Sequence, residues 1–214
     1  MGIITAIRIK FLMVTSLILC ISCDNSIQEP SFNALDFFPI ENNLKWTFER
    51  SFNYYENDSL TTNSIDTLIY SMKEINLSDG RIAYEYYNGN RVIDTFIQVG
   101  DIIYSLTNAD TSNHIFWKKE LTIGEEWISF ESWENKILSS VMHKVIDLNT
   151  VINVRFATSP LTSIIIDREI HHLGLYKERC YYAKDIGLVF VTGSSSFLQY
   201  ASEYELELIN FKSY

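Results

Sequence analysis

The sequence predicts an all-β fold, a single domain built on one strongly curved antiparallel sheet that forms a half-barrel or a barrel. From Phe37 onward, apolar and polar residues alternate with a period of two. Glycine and asparagine turn signals separate the alternating runs. The runs predict roughly ten to thirteen strands, too many for a small flat sheet, so the sheet must curl, close or split into layers.

Each predicted element follows from alternation and from turn chemistry. Apolar side chains share one face in runs at 44–54, 82–86, 93–99, 186–190 and 204–208. Asn88-Gly89-Asn90 supplies the positive φ of a tight hairpin, and residues 81–108 read as a three-strand meander. The serine-rich stretch 193–196 is interpreted as a hairpin turn, and short helical turns are expected near 33–37 and 132–137.

Composition limits the classes of molecule that the protein can be expected to bind. The chain has 214 residues, with 17 Lys and Arg against 27 Asp and Glu, and a formal net charge of −10. Because nucleic-acid binding needs a basic face, this balance excludes a nucleic-acid partner. Apolar residues at 47% and aromatic residues at 14% are typical of a globular domain.

The first residues read as an export signal. Arg8 and Lys10 precede an apolar run over 11–22, which is shorter than the roughly 20 residues of a membrane-spanning helix. The run ends Ser22-Cys23, which resembles the lipobox of bacterial lipoprotein signals, where a small residue precedes the lipidated cysteine. The resemblance implies a signal peptide over 1–22 and acyl chains such as palmitate on Cys23, with an ordinary cleaved signal or an uncleaved anchor as alternatives.

This organisation gives three segments. Residues 1–22 are the signal, 23–35 the lipidated cysteine with a polar tether, and 36–214 the β-rich domain. The expected location is the cell envelope, with the outer membrane favoured, and the lipid anchor makes the membrane itself a partner. With Cys23 acylated, Cys180 has no partner for a disulfide and is expected to be a small buried hydrophobe.

Short motifs at several points of the body resemble a known group of proteins. They are Phe37-Phe38-Pro39-Ile40 followed by Trp46, then Gly124-Glu125-Glu126-Trp127, and Tyr181-Tyr182-Ala183-Lys184 followed by Gly187-Leu188-Val189. In these motifs the chain resembles uncharacterised secreted lipoproteins of the Bacteroidota, although Asn42 and Asp185 stand where that pattern has glycine. The resemblance implies a strongly curved sheet similar to half-barrel periplasmic lipoprotein carriers, and it implies no agreed reaction.

Catalytic and metal-binding patterns are weak. Asp167, Glu169 and His171 share a strand face, but a charged exposed face explains this spacing more simply than a metal site. Glu125 and Glu126, and Glu131 and Glu134, flank Trp127 and Trp133 as the carboxylates of a glycoside hydrolase would, although solvated carboxylates give the same pattern. We therefore expect no enzyme activity, no metal and no cofactor.

Aromatic residues are the candidates for ligand contact. Those singled out are Trp46, Phe48, Tyr84, Trp117, Trp127 and Trp133. Core filling explains them as well as a ligand platform does. The leading hypothesis is non-catalytic binding of an apolar, carbohydrate or protein partner on the curved sheet. The alternatives are a structural or adhesion-type surface subunit, whose concave face would be filled, and a carboxylate-based glycoside hydrolase.

Overall fold

A computed structural model describes the backbone of residues 32–106, 114–133, 136–171 and 175–213, and the side chains there apart from 131–133, 136–138, 171 and 175. The predicted signal peptide, Cys23 and most of the tether lie outside the described residues. Residues Asn33–Tyr214 form one compact unit. Within the described ranges, no helix has the length and hydropathy needed to span a bilayer.

The fold is all-β, as the sequence predicts. A short 3-10 turn, Ala34–Phe37, comes first, at the position of the expected helical turn. The strands described are β1 (Lys45–Glu56), β2 (Ser59–Asn76), β3 (Ile82–Asn88), β4 (Arg91–Val99), β5 (Ile102–Ser105), β6 (His114–Lys118), β7 (Glu126–Trp133), β8 (Lys136–Ile152), β9 (Leu161–His171), β10 (Leu175–Ala183), β11 (Gly187–Phe197) and β12 (Tyr200–Lys212).

These strands form one antiparallel sheet of two six-stranded meanders. The order is β6-β5-β4-β3-β2-β1-β12-β11-β10-β9-β8-β7, so the first and last strands pair in the middle. The sheet nearly closes into a barrel, with β6 and β7 as its edges. Side chains bridge this seam, where the Trp127 indole donates to the Phe116 carbonyl at 3.2 Å and Lys118 pairs with Glu125.

The segment before β1 fills one end of the barrel. The Trp117 indole donates to the Ala34 carbonyl at 2.7 Å, and the Asp185 amide donates to the Asp36 carbonyl at 2.6 Å. The ring of Phe38 lies against four other rings, those of Phe96, Phe116, Trp117 and Tyr182. We call residues 33–40 the plug.

Gly187 supports this end of the barrel, where the plug approaches it closely. Its φ of +89° lies in the left-handed region, and a Cβ there would touch Pro39 at 3.4 Å. Next to it, the Trp46 indole donates to the Ile186 carbonyl at 2.6 Å. The positive φ turns the chain into β11 while the small residue leaves room for the plug.

The local predictions divide into confirmed and wrong ones. The meander over 81–108 is confirmed as β3, β4 and β5, with Gly89 at φ +60° in the first hairpin. The helical turn near 132–137 is wrong, because β7 continues to Trp133 and β8 begins at Lys136. The turn at 193–196 is also wrong, since these residues lie inside β11 and pair with β12.

Candidate functional site

A cavity of about 750 Å³ lies on the concave face of the sheet. It is lined at a period of two by Leu68 and Tyr70 on β2 and by Tyr204 and Leu206 on β12, whereas β4 contributes the continuous run 91–96. The plug residue Phe38 also lines it, and Val92 and Tyr176 are lining residues that stay about 40% exposed. The cavity is therefore bounded by the plug and reaches solvent near these two side chains.

Most of the cavity wall is apolar. The lining rings include Phe52, Tyr70, Tyr86, Phe96, Phe116 and Tyr182. Tyr70 and Tyr86 stack with ring centroids 5.4 Å apart, and Phe96 lies 4.6 Å from Phe116. These contacts hold the rings in place while leaving the space between the walls open.

A polar row crosses this apolar wall. Arg168 on β9 lies opposite Glu178 on β10, and its Nη1 donates to Glu178 Oε2 at 2.7 Å. The Tyr204 hydroxyl on β12 donates to the other carboxylate oxygen, Oε1. Both oxygens of the poorly exposed Glu178 carboxylate therefore accept a hydrogen bond within the wall.

Gly193 makes this row possible. It pairs with Glu178 on one side and with Tyr204 on the other. A Cβ at Gly193 would overlap the Tyr204 ring, so the missing side chain lets that ring lie across β11 and reach the carboxylate. The glycine that resembled a turn signal in the sequence is therefore a packing site.

His143 continues the row on β8, opposite Arg168. The imidazole is 2% exposed, stacks on Trp127 at 4.9 Å and shares a 2.7 Å hydrogen bond between Nε2 and the Ser129 hydroxyl. Burial, and then the charge of Arg168, hold the pKa of His143 well below its usual value. An imidazole so hard to protonate is a weak base, and we interpret the pair with Ser129 as a satisfied buried contact.

The cysteine and the acidic residues near Trp127 have structural surroundings. Burial raises the pKa of the Cys180 thiol to about 12, so the side chain is a buried thiol rather than a nucleophile. Glu125 pairs with Lys118, and Glu126 pairs with Lys144 at 2.7 Å, and none of these four lines the cavity.

The residues that share the charged face of β9 do not form a metal site in the part of the chain that the structure describes. The Asp167 carboxylate accepts two hydrogen bonds from Arg179, at 2.7 and 2.8 Å. The side chain of His171 lies outside the described set. Among the residues that the structure describes, no three His, Cys, Asp or Glu side chains are grouped as metal ligands would be.

Most of the aromatic residues that the sequence predicted to face a ligand lie outside the cavity. Trp46, Phe48, Trp117 and Trp127 are 8% exposed or less and belong to the packed core, and Tyr84 is half-buried; none of these five lines the cavity. The side chain of Trp133 lies outside the described set. The cavity instead uses rings farther along the same strands, such as Phe52 on β1 and Tyr86 on β3.

The polar row was not predicted from the sequence, although the sequence contains a signal for it. Ile164, Ile166, Arg168 and Ile170 share one strand face, and the three isoleucines are buried. A single charge on an apolar face at a period of two indicates a buried charge with a partner. Its partner, Glu178, lies on the next strand with Cys180 and Tyr182 on the same face.

We expect Gly193→Ala to destabilise the fold by about 2 kcal/mol, because the new methyl overpacks against the Tyr204 ring. Chemical denaturation measures the loss, and Ser194→Ala on the outer face is the control, with a change under about 0.5 kcal/mol. In a Tyr204→Ala background the cost of Gly193→Ala should largely vanish. An equal cost in both backgrounds would contradict the account of this glycine.

The stability of the fold should fall as the pH drops below about 6.5 because of His143. Below that pH the imidazole binds a proton in the unfolded chain but not in the folded one. The free energy of unfolding therefore falls by about 1.4 kcal/mol per pH unit until the pH reaches the pKa of the folded state. His143→Phe keeps a ring on Trp127 but removes this titration. Unfolding free energies between about pH 7 and pH 5 should show a shallower slope for the variant, and identical slopes would refute the assignment.

Comparisons with known proteins give structural neighbours but no family. No known protein family and no curated protein matches the chain. A solved structure described as a lipoprotein from Parabacteroides distasonis is similar at 11% identity and a TM-score of 0.41, covering 82% of this chain and 98% of that one. An exported protein with a YmcC-like fold from Bacteroides fragilis is similar at 12% identity and a TM-score of 0.42, covering 83% and 99%.

Proposed function

We propose that the chain is a cell-envelope lipoprotein, anchored through acyl chains on Cys23, whose barrel interior binds an apolar small molecule without altering it. The observation that carries the binding role is the cavity of about 750 Å³ on the concave face. Ligand pockets in proteins measure roughly 300–1,000 Å³, with mostly apolar walls and a few convergent polar groups. The cavity has this size and this type of lining.

The open interior favours binding over a purely structural role. A structural subunit of this fold is expected to fill its concave face with side chains, as the plug does at one end of the barrel. Beyond Phe38, toward the rest of the barrel interior, rings and aliphatic side chains instead line an empty space. Keeping this space open sacrifices packing contacts, which a ligand would restore.

The lining also selects among the classes of ligand. A carbohydrate needs many hydrogen bonds, and a protein partner needs an accessible surface. Here the wall is mostly rings and aliphatic side chains, and its polar groups are the row of Arg168, Glu178 and Tyr204 and other side chains such as Arg50, Arg91 and Asp94. An apolar small molecule with a limited polar part suits this wall best.

The anchoring part of the proposal rests on the sequence. The basic start, the short apolar run and Ser22-Cys23 together support export and acylation. Acyl chains would hold the domain to a membrane without a spanning helix.

Cys23→Ser is expected to abolish incorporation of a labelled fatty acid and to release the protein from the membrane fraction. Cys20→Ser is the matched control, since the bulky Leu19 precedes it, and should leave both readouts unchanged. Metabolic labelling followed by membrane fractionation measures both. Labelling that persists in Cys23→Ser would refute the assigned anchor.

Binding in the cavity is tested by filling it. Leu68 lines the cavity, whereas its neighbour Thr67 is exposed on the outer face. We expect Leu68→Trp to weaken binding of the neutral apolar dye Nile red at least about tenfold, which is the loss of roughly 1.4 kcal/mol. Thr67→Trp should bind as the unmodified protein does.

The assay uses the mature chain from residue 23 with Cys23→Ser, purified without detergent, and follows dye fluorescence. Denaturation midpoints of both tryptophan variants establish that they are folded. Wild-type affinity in a folded Leu68→Trp protein would place the dye outside the cavity and contradict the proposal.

A further inference from the structure

We propose that the ligand is an amphiphile with an acidic oxygen head, and that Arg168 and the hydroxyls of Tyr70 and Tyr86 receive this head inside the barrel. The inference rests on the proposed function and names the chemical class of its ligand. Two observations carry it: the saturation of Glu178 and the open hydroxyls of the two tyrosines.

Glu178 has no need of a donor from the ligand. Arg168 donates to its Oε2 and Tyr204 donates to its Oε1. The carboxylate is therefore neutralised and hydrogen-bonded within the protein. A ligand with a cationic or donor-only head, such as an amine, would have to displace one of these partners to reach the Glu178 carboxylate.

Tyr70 and Tyr86 supply donors from the other side of the barrel, on β2 and β3. Both line the cavity, and among the described residues neither hydroxyl has a protein hydrogen-bond partner. Burial raises the pKa of both phenols, so each keeps its proton across the physiological range. Two neutral O–H groups in the lining can each donate to an acceptor placed in the cavity.

The cations of the lining are matched by acids. Arg50 makes a bidentate pair with Asp66, Arg168 pairs with Glu178, and Arg91 and Asp94 both line the cavity. A carboxylate head would therefore be held by hydrogen-bond donors, and its two oxygens suit a guanidinium and phenol donors.

The rest of the ligand follows from the walls. Phe52, Phe96 and Phe116, with Leu68 and Leu206, offer apolar surface in the same cavity. A hydrocarbon chain gains free energy from this burial, whereas a fully polar anion would not. A free long-chain carboxylate combines the two requirements.

The test compares two competitors that differ only in the head group. Palmitate and the alcohol of the same chain length displace Nile red from the non-acylated mature chain defined above. We expect palmitate to act at a concentration at least about tenfold lower, since hydrogen bonds to a charged group exceed those to a neutral one by roughly that factor.

Tyr70→Phe combined with Tyr86→Phe keeps both rings but removes both hydroxyls. This double variant should lose most of the preference for palmitate while still binding Nile red and the alcohol. Tyr54→Phe is the control, because Tyr54 stacks on Tyr200 and does not line the cavity. Arg168 is left intact, since its removal would bury Glu178 without its cation.

The outcomes are distinguishable. Equal displacement by the acid and the alcohol in the unmodified chain would overturn the acidic head and leave apolar binding standing. A full preference in the double Phe variant would overturn the role of the two hydroxyls. Failure of the unmodified chain to bind Nile red and both competitors would overturn the proposed function itself.

Discussion

The width of a twelve-stranded barrel is the constraint from which the rest of the structure follows. Roughly eight strands enclose a space that side chains just fill, and each added pair of strands widens it. The pairing of β1 with β12 joins the two meanders into one sheet, so this chain encloses more room than its side chains occupy. The plug at residues 33–40 fills one end, and the cavity is the space that remains.

The polar row shows how charged side chains can lie in the barrel wall at a low cost in free energy. Arg168 and Glu178 occupy directly opposed positions on neighbouring strands, so their side chains are already within contact distance. Gly193 then allows the Tyr204 ring to lie over the next strand and complete the carboxylate's hydrogen bonds. A charged pair whose carboxylate is fully hydrogen-bonded within the wall can face a mostly apolar cavity, and it adds polar groups to the lining.

Period and turn chemistry predict much of this fold, because both are local. Alternation identifies the strands, and Asn88-Gly89-Asn90 identifies the hairpin of the first meander. Alternation assigns a side chain to a face but gives no position along the barrel axis, so Trp46 and Phe52 looked equivalent. Trp46 packs against the plug, whereas Phe52 lines the cavity, and the difference depends on contacts more than 100 residues apart in sequence, such as that between Trp46 and Ile186 at a separation of 140. Gly193 was misread for the same reason, since its partner Tyr204 lies on another strand.

Native mass spectrometry of residues 24–214, exported behind a cleavable signal and purified without detergent, measures directly whether the barrel interior is occupied. We expect a bound small molecule that leaves on activation in the gas phase and is absent when Leu68→Trp fills the cavity. A bare polypeptide mass that persists after incubation with long-chain carboxylates would contradict this expectation, and the open interior would then have no role in binding.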